Sequence, residues 1–216
     1  MKNLMKKLLI FSALLVFSAA AYCEQYVYKA KTIKEIDIVI SAGTLNIASA
    51  KTKDIVIDIT PDKPENIQRR INADSDGDLK IYLDDISVSA ETVVNITVPV
   101  SANDIEINSS GAYVCVSDVK GSLSIDAAEG KAEVKNFLGD FDIDAVNAEV
   151  VAEGMFKKLD IESSGANIFV TMRKIPSLYD YSVEGDGNVI LHLPSQFVKA
   201  RLKLERKEFY GSLNIQ

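Results

Sequence analysis

The chain has 216 residues, a formal charge of −7, two cysteines, one histidine and no tryptophan. An acidic chain repels phosphate backbones and anionic lipid headgroups, which sets nucleic-acid binding and electrostatic membrane binding aside. The two cysteines exclude a disulfide-stapled framework.

The first element is a leader. Lys2, Lys6 and Lys7 precede the apolar run Leu8–Phe17, and small residues follow. This is the layout of a secretory signal peptide, too short in its apolar part for a membrane span. Ala19-Ala20-Ala21 fits the small-x-small cleavage rule, which assigns residues 1–21 to the signal peptide and starts the mature chain at Tyr22; cleavage after Cys23 is the second option. Loss of the three lysines takes the charge from −7 to −10. Cys23 is also the candidate lipidation site of a bacterial lipoprotein, although Tyr22 stands where a small residue normally precedes a lipidated cysteine. A Cys23–Cys115 bridge and two unpaired thiols both stay open. The expected location is outside the cytoplasmic membrane, in the periplasm or on the cell surface, with a Cys23 lipid as the one membrane attachment.

Residues 22–100 are expected to form an N-terminal β cap or a set of irregular rungs. Period-two alternation marks strands at Ile36–Ile40, Leu45–Ile47, Ile55–Ile59, Leu79–Leu83 and Val94–Val98. Pro64–Ala73, PENIQRRINA, reads equally as a short helix or an irregular loop. In Asp74-Ser-Asp-Gly-Asp78 the alternating aspartates suggest a calcium loop. Leu79 and Asp85, however, occupy the sixth and twelfth positions, where an EF-hand needs Gly and Glu. A hairpin turn between Ile71 and Leu79 is the expectation.

Residues 101–194 repeat. Ile105-Glu-Ile-Asn, Leu123-Ser-Ile-Asp, Phe141-Asp-Ile-Asp and Leu159-Asp-Ile-Glu start eighteen residues apart, and Tyr181-Ser-Val-Glu follows after four extra residues. A second apolar pair recurs as Val114/Val116, Ala132/Val134, Val150/Ala152 and Ile168/Val170. Gly111, Gly130, Gly165 and Gly187 mark one turn of each unit, and Gly121 and Gly139 the other. No unit buries its apolar face alone, so the units must stack. The predicted fold is all-β: a parallel β-solenoid, β-helix-like, of rungs of about 18 residues, with a sandwich-like arrangement still open. Residues 195–216 are predicted capping strands, with Val198, Ala200, Leu202 and Leu204 inward and Lys199, Arg201 and Lys203 outward. Charge there blunts an exposed edge; a patch for an anionic polymer is the alternative.

The polar positions of the repeat are rich in carboxylates: Glu106, Asp126, Asp142/Asp144, Asp160/Glu162 and Glu184. In-register stacking would line them up as columns about 4.8 Å apart between strands, where like charges repel and raise one another's pKa. Three uses compete: a solvated face that deters aggregation, a calcium or cationic-ligand face, and a polysaccharide-cleaving pair. Asp142, Asp144, Asp160 and Glu162 are the candidates for the last two. His192 has no His or Cys partner nearby to complete a transition-metal set and is the one histidine that could activate any of the many serines, so it is read as a strand residue. Cys115, beside Tyr113, lacks the neighbouring cations that activate a thiol. No catalytic residue and no cofactor is assigned.

The stretches NITVPVSANDIEINSSGAYVCV, LDIESSGANIFV and VEGDGNVILHLP, with Val98-Pro99, the Ser-Ser-Gly turns at 109–111 and 163–165, and Leu193-Pro194, resemble a family of bacterial exported proteins. That family is a domain of unknown function labelled "putative adhesin"; the similarity covers roughly Ile36–Leu193. Ala112, Lys131 and Glu149 depart from it, standing where a Gly-Asp pair is common. The resemblance implies a β-helix-like or layered all-β body outside the cytoplasmic membrane, and no reaction. The expected function is a non-enzymatic envelope or surface scaffold, adhesin-like, whose partner is a protein, glycan or matrix ligand. The alternative is a carboxylate-dependent polysaccharide-active enzyme or a calcium-binding surface protein.

Overall fold

The computed structural model describes residues 23–60, 71–83, 89–100, 103–174 and 180–194, and the backbone of two short strands at 203–204 and 213–215. The leader with its cleavage site, residues 64–70 of the helix-or-loop segment, and residues 197–202 of the C-terminal run lie outside the described residues.

Alternation of apolar and polar residues builds the strands. In β2 (Glu35–Ile40) the sequence EIDIVI sends Ile36, Ile38 and Ile40 into the core and leaves Glu35, Asp37 and Val39 outside. Each such isoleucine contributes about 1.5–3 kcal/mol by burial. The same pattern makes β3 (Thr44–Ala50), β4 (Asp54–Thr60), β6 (Asp78–Leu83) and β7 (Val93–Pro99), so all five strands expected in the lead-in are present. β1 (Glu24–Lys29) was not expected, and β5 (Ile71–Ala73) is the first arm of the hairpin expected between Ile71 and Leu79. β5 occupies the end of the segment read as helix or loop, because it pairs antiparallel with β6 across the Asp74–Asp78 turn.

Beyond residue 102 follow β8 (Asn103–Ser109), β9 (Tyr113–Ser117), β10 (Lys120–Ala128), β11 (Lys131–Val146), β12 (Glu149–Ser164), β13 (Asn167–Met172), β14 (Asp180–Gly185) and β15 (Asn188–His192). β16 (Lys203–Leu204) and β17 (Leu213–Ile215) close the order.

All the strands join one mixed sheet that curls on itself. It is mixed rather than wholly parallel: β1–β4, β4–β7 and β5–β6 are antiparallel. The remaining pairings are parallel and form two sets. One set runs β6, β2, β8, β10, the second half of β11, the second half of β12, then β14 and β16. The other runs β7, β3, β9, the first halves of β11 and β12, then β13, β15 and β17. Their inward side chains form one continuous hydrophobic cluster.

Leu123 faces Ile105 on one side and Phe141 on the other, Phe141 faces Leu159, and Leu159 faces Tyr181. The lead-in, by contrast, does not stack in chain order. β2 lies between β6 and β8, and β3 between β7 and β9.

The corners compare unevenly with the turns expected at Gly121 and Gly139. The Gly121 corner keeps a break, at Asp118–Val119 between β9 and β10, with Gly121 the second residue of β10, whereas Gly139 lies inside β11, which continues through its corner. The β11–β12 ladder shifts register between Val134 and Phe137 and again between Gly139 and Asp140. A bulge bends a strand without ending its pairing, so one 16-residue strand serves both sets. Phe137, Phe141 and Phe156 fill the corner with ring centroids 5.5–6.0 Å apart, and the Tyr181 hydroxyl donates to the Phe156 carbonyl at 2.9 Å.

Candidate binding face

The outer face of the first set carries side chains in register. The middle column runs Asp37, Glu106, Ser124, Asp142, Asp160, Ser182. On one side of it lie Val39, Asn108, Asp126, Asp144, Glu162 and Glu184. On the other lie Glu35, Asp104, Ser122, Asp140, Lys158 and Asp180. Adjacent members sit about 4.8 Å apart by strand spacing, so the face is a grid of carboxylates with few cations among them.

The electrostatics follow from that crowding. Partial desolvation by its crowded neighbours, then Asp160 across the ladder, pushes the Asp142 carboxyl above its ordinary pKa, and Lys158 pulls the other way. Partial desolvation also raises Asp126, helped by Asp144, Glu106 and Asp142. Glu35 is raised by burial and then by Asp78, Glu106, Asp104 and Asp37. Relief is local: Lys158 Nζ approaches Asp160 at 3.5 Å, Tyr82 donates its hydroxyl to Asp37 at 2.9 Å, and Asn108 donates to Glu106 at 3.2 Å.

The four carboxylates singled out from sequence come together as a block. Asp142 faces Asp160 and Asp144 faces Glu162. Asp142, Asp144 and Glu162 are exposed, and Asp160 is half-buried. They stand on a sheet surface, not within an enclosing cage; among the described residues no three His, Cys, Asp or Glu side chains gather closely enough to hold a metal ion. Sequence reasoning missed the share of the face supplied by Glu35 and Asp37. The alternation of EIDIVI was visible, but its place beside β8 was not.

The other singled-out residues are dispersed. The Asp74 carboxylate accepts backbone N–H groups from Asp76, Gly77 and Asp78 at 3.0–3.1 Å. Those bonds, that from Asp78 foremost, hold its pKa below the ordinary value. The carboxylate is thus occupied in closing the β5–β6 hairpin. His192 is exposed at the end of β15, opposite Thr171. Cys115 is half-buried between Asn46 and Glu133, Cys23 is exposed, and both thiols are free.

No family model matches the chain, and no curated protein matches it. Among solved structures, a "putative adhesin" from Parabacteroides merdae ATCC 43184 is 14% identical with a TM-score of 0.50, over 91% of this chain and 96% of that one. The likeness is one of fold. A "putative cell adhesion protein" from Clostridium sporogenes ATCC 15579 is also 14% identical, with a TM-score of 0.49 over 90% of this chain and 98% of that one.

Proposed function

We propose that the chain is an exported, non-enzymatic scaffold of the bacterial envelope or surface, adhesin-like, which binds its partner through the acidic face. In this reading the parallel pairings form the rungs of a β-solenoid, and residues 22–100, which hold the antiparallel pairings, are its cap. The observation that carries the reading is the register of the carboxylate columns. Asp142, Asp160 and their neighbours are held in a repeating grid on an open surface. Such a surface suits contact with an extended or macromolecular partner better than chemistry on one bond, which needs an acid and a base held in different environments. The adhesin name of the Parabacteroides structure agrees with this reading.

The test is co-sedimentation of the purified chain with envelope and matrix polysaccharides, with and without calcium, scoring both bound fraction and polymer length. Binding to intact polymer that is lost in the Asp142→Asn, Asp160→Asn double variant is the expected result. Shortened polymer overturns the non-enzymatic reading, and binding unchanged by the double variant removes the acidic face from it.

A further inference from the structure

A groove of about 310 Å³ runs along one margin of the acidic face. Its polar side is formed by Asn108, Asp126 and Asp144 on β8, β10 and β11, and Val39, Ala128 and Val146 supply apolar wall. Asp126 and Asp144 are register partners on adjacent strands, so their backbones lie about 4.8 Å apart and their side chains project on the same side of the sheet. Val146 is 41% exposed, one of four exposed large apolar side chains among the described residues, with Val27, Val100 and Tyr113.

The charges point to the occupant. Every charged group that acts on Asp126 is itself acidic, namely Asp144, Glu106 and Asp142. Among the described residues no ion pair includes Asp126 or Asp144, whereas Lys131, Lys135, Lys158 and Arg173 are all engaged with carboxylates elsewhere. Two adjacent unneutralised carboxylates match a guanidinium, which donates through two parallel N–H groups. The apolar wall matches the aliphatic stem behind that head, since arginine lays its methylenes along apolar surface while its charge reaches polar groups. A sugar ring would ask for an aromatic platform, and the groove lining has none.

We propose that this groove binds an arginine side chain presented by a protein partner, the guanidinium on Asp126 and Asp144 and the stem against Val146 and Val39. The inference rests on reading the chain as a binding scaffold and names one site and one partner chemistry for it.

The experiment is an NMR titration of the isotope-labelled full chain with a five-residue peptide carrying one central arginine between alanines. The same peptide with citrulline is the neutral isostere. Shifts are expected at the amides of Asn108, Asp126, Ala128, Asp144 and Val146, with citrulline weakening the affinity about tenfold or more, as loss of a charge-assisted pair does. Asp126→Asn with Asp144→Asn should weaken arginine binding by a similar factor. Asp78→Asn with Asp180→Asn, remote on the same face, should change it less than twofold, and thermal melts check that each variant is folded. Equal losses from both double variants mean diffuse attraction to the acidic face and overturn the site. Shifts elsewhere, or binding of a glucosamine tetramer but not of the peptide, overturn the occupant. If the peptide fails while the chain still binds intact polysaccharide, the groove proposal falls and the scaffold reading stands.

Discussion

Replacement of Gly139 by alanine tests how the sheet turns its corner. Gly139 has φ 151° and lies in register opposite Gly121. An added Cβ would fall 2.9 Å from the Gly121 carbonyl carbon and 3.1 Å from its nitrogen, with the carbonyl oxygen nearer still. All three atoms are backbone in a hydrogen-bonded ladder and have no side-chain rotation to escape by. Overpacking costs about 1–3 kcal/mol and the unfavourable backbone about 1–2 kcal/mol, against about 0.4–1 kcal/mol recovered from the stiffer unfolded chain. The net expectation is a loss of about 2–4 kcal/mol, or about 4–16 °C in Tm for a chain of this size. Gly111→Ala is the internal control: its φ is not in the positive region, and the one neighbour within reach is the Ser41 carbonyl oxygen at 3.2 Å. Its expected effect is within about 1 kcal/mol of zero, the entropy gain offsetting the small contact. Urea unfolding followed by far-UV circular dichroism suits a chain without tryptophan. Equal costs at the two positions would refute the account of the corner.

Three further outcomes follow from the described contacts. Glu35, Asp126 and Asp142 have folded pKa values above their ordinary ones, so they weaken the fold when ionised. Stability should therefore rise as the pH falls from neutral through those raised values. Asp74, Glu133 and Glu153, whose values are lowered, withdraw their stabilisation only at lower pH. A Tm profile from pH 7 to 4 should thus peak on the acid side, Asp142→Asn should raise Tm at pH 7, and a steady decline on acidification would contradict both. Phe156→Ala removes a fully buried ring that packs on Phe137 and Phe141 and should cost about 3–5 kcal/mol. Tyr181→Phe, which removes the hydroxyl's bond to the Phe156 carbonyl, should cost about 1–3 kcal/mol, both measured by urea unfolding. Asp74→Ala should lower Tm by the same amount with and without calcium, since the carboxylate serves its own turn; a calcium-dependent difference would restore the ion-loop reading.

The strands of this protein were legible because burial imposes a period of two. EIDIVI and DIVIDIT announce which side chains go inside, and those isoleucines are the ones buried. The carboxylates at 142, 144, 160 and 162 were legible as neighbours for the same reason, since equal spacing along the chain places them opposite one another. What local pattern does not encode is the partner of a strand. Nothing within Glu35–Ile40 says that it lies against residues 78–83 on one side and 104–109 on the other. That pairing added Glu35 and Asp37 to the acidic face. The corner at Gly139 was misread because glycine suggests a turn, whereas Gly139 serves a close backbone approach inside a continuing strand. The groove was invisible because it depends on Val39, sixty-nine residues before Asn108, being the latter's register partner.

The position of β2 and β3 has a consequence for how the chain acquires its shape. Both sides of each strand are filled by segments that come later in the sequence, so β2 is not flanked on both sides until residue 109 has been made, nor β3 until residue 117. A chain that emerges from its N-terminus must keep these apolar strands waiting, at the loop-closure cost that slows folds with distant contacts. From β10 onward each segment instead adds to an edge laid down just before it. Folding should therefore divide into a slow, all-or-none closure of roughly the first half, which joins segments distant in sequence, and a rapid, templated growth of the rest. A nascent chain stopped before residue 117 would expose bare strand edges, while one stopped in the later half would be short but shaped.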